Sequence, residues 1–345
     1  MFIGKENAMK SVFKIQKWQL LKARGFEGNL ILSGGDFVAI GKRAFSGKSN
    51  RYLQSVHIPS GVSVIKAEAF WGCENLQTVV LSAQNNIGIS AGVFRNCRRL
   101  HTVANAEKMH SIGANAFANC DTLCEIRTGD ELSRIGEGAF AGCRMLSTIA
   151  LPSSLKSIGK GAFRGCSALT FCYMDEKLSL LSEEMFRDCV SLRELQLPTA
   201  VSVIPKRAFE GCISLREVNI PANVQNIAAG AFQNCRKLHT VRMELGVKSI
   251  GAHAFDQTPA LREVFVPHSV KKLGFGAFGL GTKKDGEKIT VCVENEYMVR
   301  RMKQLLFFCG SANCTTVKLI GKSIEERKRD RRRANVDAKG THLIG

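Results

Sequence analysis

Apolar residues return along this chain on a long, regular period. A phenylalanine recurs at Phe45, Phe70, Phe94, Phe117, Phe140, Phe163, Phe186, Phe209, Phe232, Phe255 and Phe278, in steps of 25, then 24, then 23 residues eight times over. Five residues before each stands Ile or Leu, from Ile40 to Leu273, and six after stands Leu from Leu76 to Leu261. Between these anchors lies a short run of alternating apolar and polar residues, as in LSTIALP (Leu146–Pro152), LRELQLP (Leu192–Pro198) and LREVNIP (Leu215–Pro221). Period-two alternation closed by Pro reads as a short strand. A constant period of about 23 residues reads as a solenoid in which each coil buries its apolar side against its neighbours. Stacked this way, the short strands would form one continuous parallel sheet along one face, neighbours about 4.8 Å apart.

Two further columns refine the coil. Two residues after the Phe stand Gly47, Gly72, Asn96, Asn119, Gly142, Gly165, Asp188, Gly211 and Asn234. These types tolerate a left-handed backbone, so a sharp turn is expected there. Three residues after the Phe stand Cys73, Cys97, Cys120, Cys143, Cys166, Cys189, Cys212 and Cys235. A row of thiols invites a metal or redox reading, yet the column lacks any C-x₂-C pair and any accompanying histidine column. Cys is also a small, readily buried apolar side chain, so the column reads as reduced packing. Cys172 falls where other coils carry Val, Ile or Leu and reads as core. Cys292, Cys309 and Cys314 lie near the end of the chain, and a zinc site there would lack an evident fourth ligand.

The repeated sentence I-G-x-x-A-F-x-G-C-x-x-L-x-x-V-x-I-P, with IGKGAFRGCSAL from Ile158 to Leu169 as one copy, resembles the BspA-type leucine-rich repeat over about residues 30–281. The stretch LLKARGFEGNLILSGGDFVAIGKRAF is similar to a divergent first coil of such proteins. The resemblance implies a curved, right-handed solenoid and a role in protein contact or adhesion, with no enzyme activity and no cofactor. Residues 1–29 are expected to cap the first coil and residues 282–321 the last. The second cap is expected as a strand over Ile289–Val293, a helix over Glu296–Phe308 and a strand over Thr315–Ile320. In that helix Met298, Met302, Leu305 and Leu306 share one face.

The chain has 345 residues and a net charge of +19, a surface that attracts anionic partners such as acidic proteins or nucleic acid. Part of the charge sits in residues 322–345, a segment with too little apolar content to build a core. Its run Arg327, Lys328, Arg329, Arg331, Arg332 and Arg333 is a candidate electrostatic site without the interleaved aromatics that stack on single strands. The opening residues show no apolar leader core, and no window is long and apolar enough to span a membrane. A reduced, cytoplasmic protein is the resulting expectation.

Two strings that imitate catalytic motifs dissolve into the repeat. GISAG (Gly88–Gly92) has the hydrolase-elbow pattern, but Ser90 occupies the offset of Gly113 and Gly136. GFGAFG (Gly274–Gly279) has a dinucleotide-loop pattern, but it too is the repeat sentence and is followed by a polar loop. The seven histidines are scattered, with no partner set for acid–base work.

The strand face carries more information. Alternation points two columns outward. One includes Glu125, Phe171, Glu194, Glu217 and Glu263, and the other Arg127, Tyr173, Arg242 and Phe265. Phe171, Tyr173, Glu194, Glu217 and Phe265 are the candidate partner-binding residues, an aromatic anchor with a charged flank. The best-supported expectation is a non-enzymatic protein-interaction scaffold. The alternatives are a nucleic-acid-associated protein acting through its basic surface and tail, and an adhesin exported without a recognisable leader.

Overall fold

The structure is a computed structural model that describes residues 12–16, 19–25, 27–32, 38–47, 50–279 and 288–319. The basic run Arg327–Arg333 and most of the GTKKDGEK loop lie outside the described residues.

Most coils contribute two strand segments, so two parallel ladders run along the solenoid. The first carries the alternating runs: Gly28–Ile31, Leu53–Ile58, Thr78–Leu81 and Thr102–Ala104 pair in that order. The second is built on the Ile or Leu five residues before the Phe, in short strands such as Arg134–Ile135 and Ser157–Ile158. Partners sit 23 residues apart, as in Thr148 beside Phe171 and Ala150 beside Tyr173. A hairpin of Val12–Gln16 and Gln19–Arg24 closes the N-terminal end, and Gln19–Arg24 enters the second ladder beside Ala39–Ile40. At the other end, strands Ile289–Val293 and Thr315–Leu319 extend the first ladder across the helix Glu296–Phe308. Asn295 caps that helix by accepting from the Met298 amide at 2.9 Å. Met298, Met302 and Leu306 are buried, and Leu305 only half so.

The core is a stack of coil interiors. The Phe rings run as one file, with centroids 4.7–5.7 Å apart and planes nearly parallel. Their backbone amides donate to the next coil, as Phe163 does to Met185 at 3.0 Å. Beside the file, each thiol of the Cys column donates to the carbonyl of the preceding coil's Phe, from Cys97 on Phe70 to Cys235 on Phe209, both at 3.2 Å. The column is thus a small apolar filler whose weak donor is satisfied internally. In the tenth coil Thr258 takes the position, and its hydroxyl donates to its own coil's Phe255 carbonyl at 2.7 Å.

The turn two residues after the Phe is left-handed as expected, from Gly47 through Asn96, Asp188 and Asn234 to Gln257. A second left-handed column, which the residue types conceal, lies two residues before the Phe. It runs through Arg43, Glu68, Gly92, Asn115, Gly138, Gly161, Glu184, Arg207, Gly230, His253 and Gly276. At Glu184, φ is 56° and the carboxylate gathers Lys160 at 3.2 Å, Arg187 at 3.5 Å and Arg164 at 3.8 Å. Burial tends to raise this carboxyl, but Lys160, Arg187 and Arg164 hold it below the usual range.

The expected continuous sheet is interrupted. Strands Thr148–Leu151 and Phe171–Met174 form a two-stranded island, and the first ladder resumes only at Glu217–Ile220. Residues 125–128 and 192–198 run between the strands without joining the ladder. Pairing residues 194–197 would set Glu194 directly beside Glu217, and like charges at adjacent cross-strand positions are unfavourable. The second ladder breaks between Ser157–Ile158 and Val203–Ile204. There Pro205 occupies the offset at which Gly136, Gly159 and Ala228 each donate an amide to the coil before, and Pro has no amide hydrogen.

Candidate protein-binding face

Strand Phe171–Met174 turns Cys172 and Met174 inward and Phe171 and Tyr173 outward. The island edge and the unpaired segment after it leave a groove of about 730 Å³ on this face, lined by Phe171, Glu194, Leu195, Gln196 and Glu217, with Arg193 and Arg216 also in its wall. Tyr173 stands beside it, 56% exposed. Phe171 is half-buried, its ring forming part of the wall. Glu194 and Glu217 are exposed and make no ion pair among the described residues.

Three of the five candidate residues, Phe171, Glu194 and Glu217, therefore line one groove, and Tyr173 follows Phe171 on the outward face of the same strand. Phe265 does not join them. It lies two coils beyond Glu217, half-buried, with the Arg242 guanidinium 4.5 Å over its ring. That cover leaves it less free to serve as an apolar anchor. Arg193, Arg216 and Glu244 also line the groove and were not among the residues expected there. The repeated Arg-Glu dipeptides Arg193–Glu194, Arg216–Glu217 and Arg262–Glu263 carry their signal, because one offset repeated in register stacks along the solenoid.

The catalytic-looking strings hold structural places. The Ser90 amide donates to the Ile65 carbonyl at 2.9 Å as an ordinary coil contact, and the Gly276 amide donates to Cys309 at the end of the cap helix. In the cap, the Cys292 thiol points to Thr290 and the Cys309 thiol to Leu306. Among the described residues no three His, Cys, Asp or Glu side chains converge as metal ligands. No helix among them is long and apolar enough to cross a membrane. A second apolar patch, not anticipated from the sequence, is formed by Phe307 and Phe308 on the outer side of the cap helix, 72% and 74% exposed. The cleft beside it holds about 450 Å³ between Leu306, Phe307, Ala312 and Val317.

A family model for the BspA type leucine rich repeat region matches the chain at residues 31–145, 87–216 and 158–284. No curated protein matches it. Among solved structures, a leucine-rich repeat protein from Bacteroides ovatus ATCC 8483 is similar over 91% of this chain and 99% of its own, at 21% identity and a TM-score of 0.59. A leucine rich cell surface protein from Faecalibacterium prausnitzii A2-165 aligns over 92% of this chain and 95% of its own, at 18% identity and a TM-score of 0.43.

Proposed function

Because the chain belongs to the BspA-type leucine-rich repeat family, whose model spans most of its length, we propose that it is a protein-interaction scaffold whose strand face, centred on Phe171 and Tyr173, holds the partner. Repeats of this family commonly mediate protein interaction or adhesion, and the fold is typically non-enzymatic. The observation that carries the reading is the groove: an exposed Tyr and a half-buried Phe adjoin one of the two breaks in the strand-face sheet. Aromatic anchors of this kind carry most of the energy of an interface, and truncating one costs about 2 kcal/mol or more.

The test is capture of the partner from a native lysate with three baits: the parent chain, Phe171→Ala with Tyr173→Ala, and a chain lacking Arg327–Arg333. The double variant should lose the partner and keep its circular dichroism. A second reading has its own support in the net charge of +19 and the Arg327–Arg333 run, and assigns binding to electrostatics. It requires the opposite pattern: capture survives the double substitution, is abolished by the deletion, and falls steeply with salt.

A further inference from the structure

The charge on the strand face runs against the charge of the molecule. Its two outward columns carry four carboxylates, Glu125, Glu194, Glu217 and Glu263, and two guanidiniums, Arg127 and Arg242, in a chain of net +19. Both guanidiniums are already engaged. Arg127 Nε lies 2.7 Å from Glu125, and Arg242 stacks on Phe265. That leaves Glu194, Glu217 and Glu263 exposed and without an ion pair among the described residues, and the first two, on successive coils, line the groove. Arg193 and Arg216 line the same groove, each one residue before its Glu, and neither forms an ion pair with it among the described residues. Glu244 lines the groove as well, its carboxylate accepting from the Ala222 amide at 3.0 Å. The groove is thus lined by the carboxylates of Glu194, Glu217 and Glu244, the guanidiniums of Arg193 and Arg216, and the apolar side chains of Phe171 and Leu195.

Resting on the binding reading above, we propose that this face takes a cationic partner segment, with a Lys or Arg side chain over Glu194 and Glu217 and a neighbouring apolar residue against Phe171. A guanidinium presents several donors in one plane and so can serve two carboxylates on adjacent coils. The apolar neighbour is stabilised by leaving water for contact with Phe171 and Leu195. An acidic partner, which the net charge alone would favour, meets two uncompensated carboxylates there. Opposed charge against like charge at close range discriminates strongly between partners.

The experiment measures fluorescence anisotropy of the full chain with three labelled probes. These are a short peptide alternating Arg and Leu, the same peptide with Glu in place of Arg, and a single-stranded oligonucleotide. The Arg peptide should bind despite the chain's net positive charge. Glu194→Gln with Glu217→Gln should weaken it at least about tenfold. Phe171→Ala with Tyr173→Ala should weaken it similarly, while Arg193→Gln with Arg216→Gln should leave it equal or tighter. Tighter binding of the Glu peptide or the oligonucleotide, no binding of the Arg peptide, or indifference to the Glu substitutions overturns the charge assignment. The two readings fail separately. If the aromatic variant loses the Glu peptide while the Gln variant keeps it, the face stands and its charge preference falls. If the aromatic variant binds the preferred probe like the parent, the face itself falls.

Discussion

Eight stacked thiols give this solenoid a specific weakness in alkali. Each member of the Cys column is fully buried, and burial raises its pKa, that of Cys73 to about 12 and the others further. In the unfolded chain the same thiols titrate near the ordinary value of about 9. The folded state therefore keeps protons that the unfolded state releases, and stability must fall as pH rises through the unfolded value. Each thiol contributes a loss of RT ln(1 + 10^(pH − pKa)), about 0.4 kcal/mol at pH 9 and about 1.4 kcal/mol at pH 10. Over eight thiols that is about 3 and about 11 kcal/mol, against total stabilities of roughly 5–15 kcal/mol for ordinary domains. The loss continues upward until the folded thiols themselves ionise.

The assay is urea unfolding followed by circular dichroism between pH 7.5 and 10, in reductant so that no thiol oxidises. The midpoint should be nearly flat below pH 8 and collapse above pH 9. Deprotonation of lysines acts in the opposite direction, because it relieves the self-repulsion of a +19 chain. A collapse therefore cannot be assigned to general charge. Replacing Cys143, Cys166 and Cys189 by Ala should shift the collapse to higher pH while lowering stability at neutral pH, since the packing and the donors to Phe117, Phe140 and Phe163 are lost. A midpoint unchanged from pH 8 to pH 10 would refute the account, because it would require the thiols to be solvated in the native coil.

The remaining predictions concern the same core and an exposed thiol. Phe163 is fully buried between Phe140 at 5.3 Å and Phe186 at 5.5 Å, so Phe163→Ala should cost about 5 kcal/mol, the upper end for a buried aromatic. A urea midpoint of Phe163→Ala equal to the parent's would deny the ring file a role. Cys124 is the one exposed thiol among those whose burial is described. Its rapid labelling by a thiol reagent should vanish in Cys124→Ser, with the eight column thiols reacting only after urea; rapid native labelling of the column would contradict its burial.

How much of this was legible in the sequence follows from what each position must do. The Phe, Cys and Leu columns are constrained by volume and burial, which fix residue type, so spacing alone locates them. The turn after the Phe is legible for a similar reason, since Gly, Asn and Asp are the types that occupy left-handed backbone at low cost. The left-handed column before the Phe is not, because five of its eleven positions are Arg43, Glu68, Glu184, Arg207 and His253. There the stacked coils impose the conformation, through amide ladders such as Glu184 to Lys206 and Arg207 to Ala229, and the side chain is left to serve other ends. The breaks in the sheet were hidden for the opposite reason. LRELQLP at Leu192–Pro198 has the same alternation as LREVNIP at Leu215–Pro221, yet only the second joins a ladder. Alternation reports which side is buried, and says nothing of whether the neighbouring coil supplies a compatible edge.

That distinction bears on where binding can reside in such a molecule. A coil that obeys the repeat has its amides and carbonyls committed to the coils on either side, and its outward columns are spaced by a fixed step. Such a surface is rigid, and it differs from coil to coil only in side-chain identity. At residues 192–198 the commitment lapses on the strand face, while the core beneath stays whole: Cys189, Leu192 and Leu197 are buried and the ring file passes through Phe186 without a gap. The break costs sheet hydrogen bonds and keeps the hydrophobic stack, which contributes more to holding together a structure built from nearest-neighbour contacts. A groove can therefore open between two coils of the solenoid without melting it. Of the two interruptions on this face, the one at 125–128 has Glu125 closed by Arg127, whereas the one at 192–198 leaves Phe171, Tyr173, Glu194 and Glu217 open. The second interruption is thus the one where aromatic area and unneutralised charge occur together. In an interface the aromatic area supplies most of the affinity, and the charge supplies the selectivity.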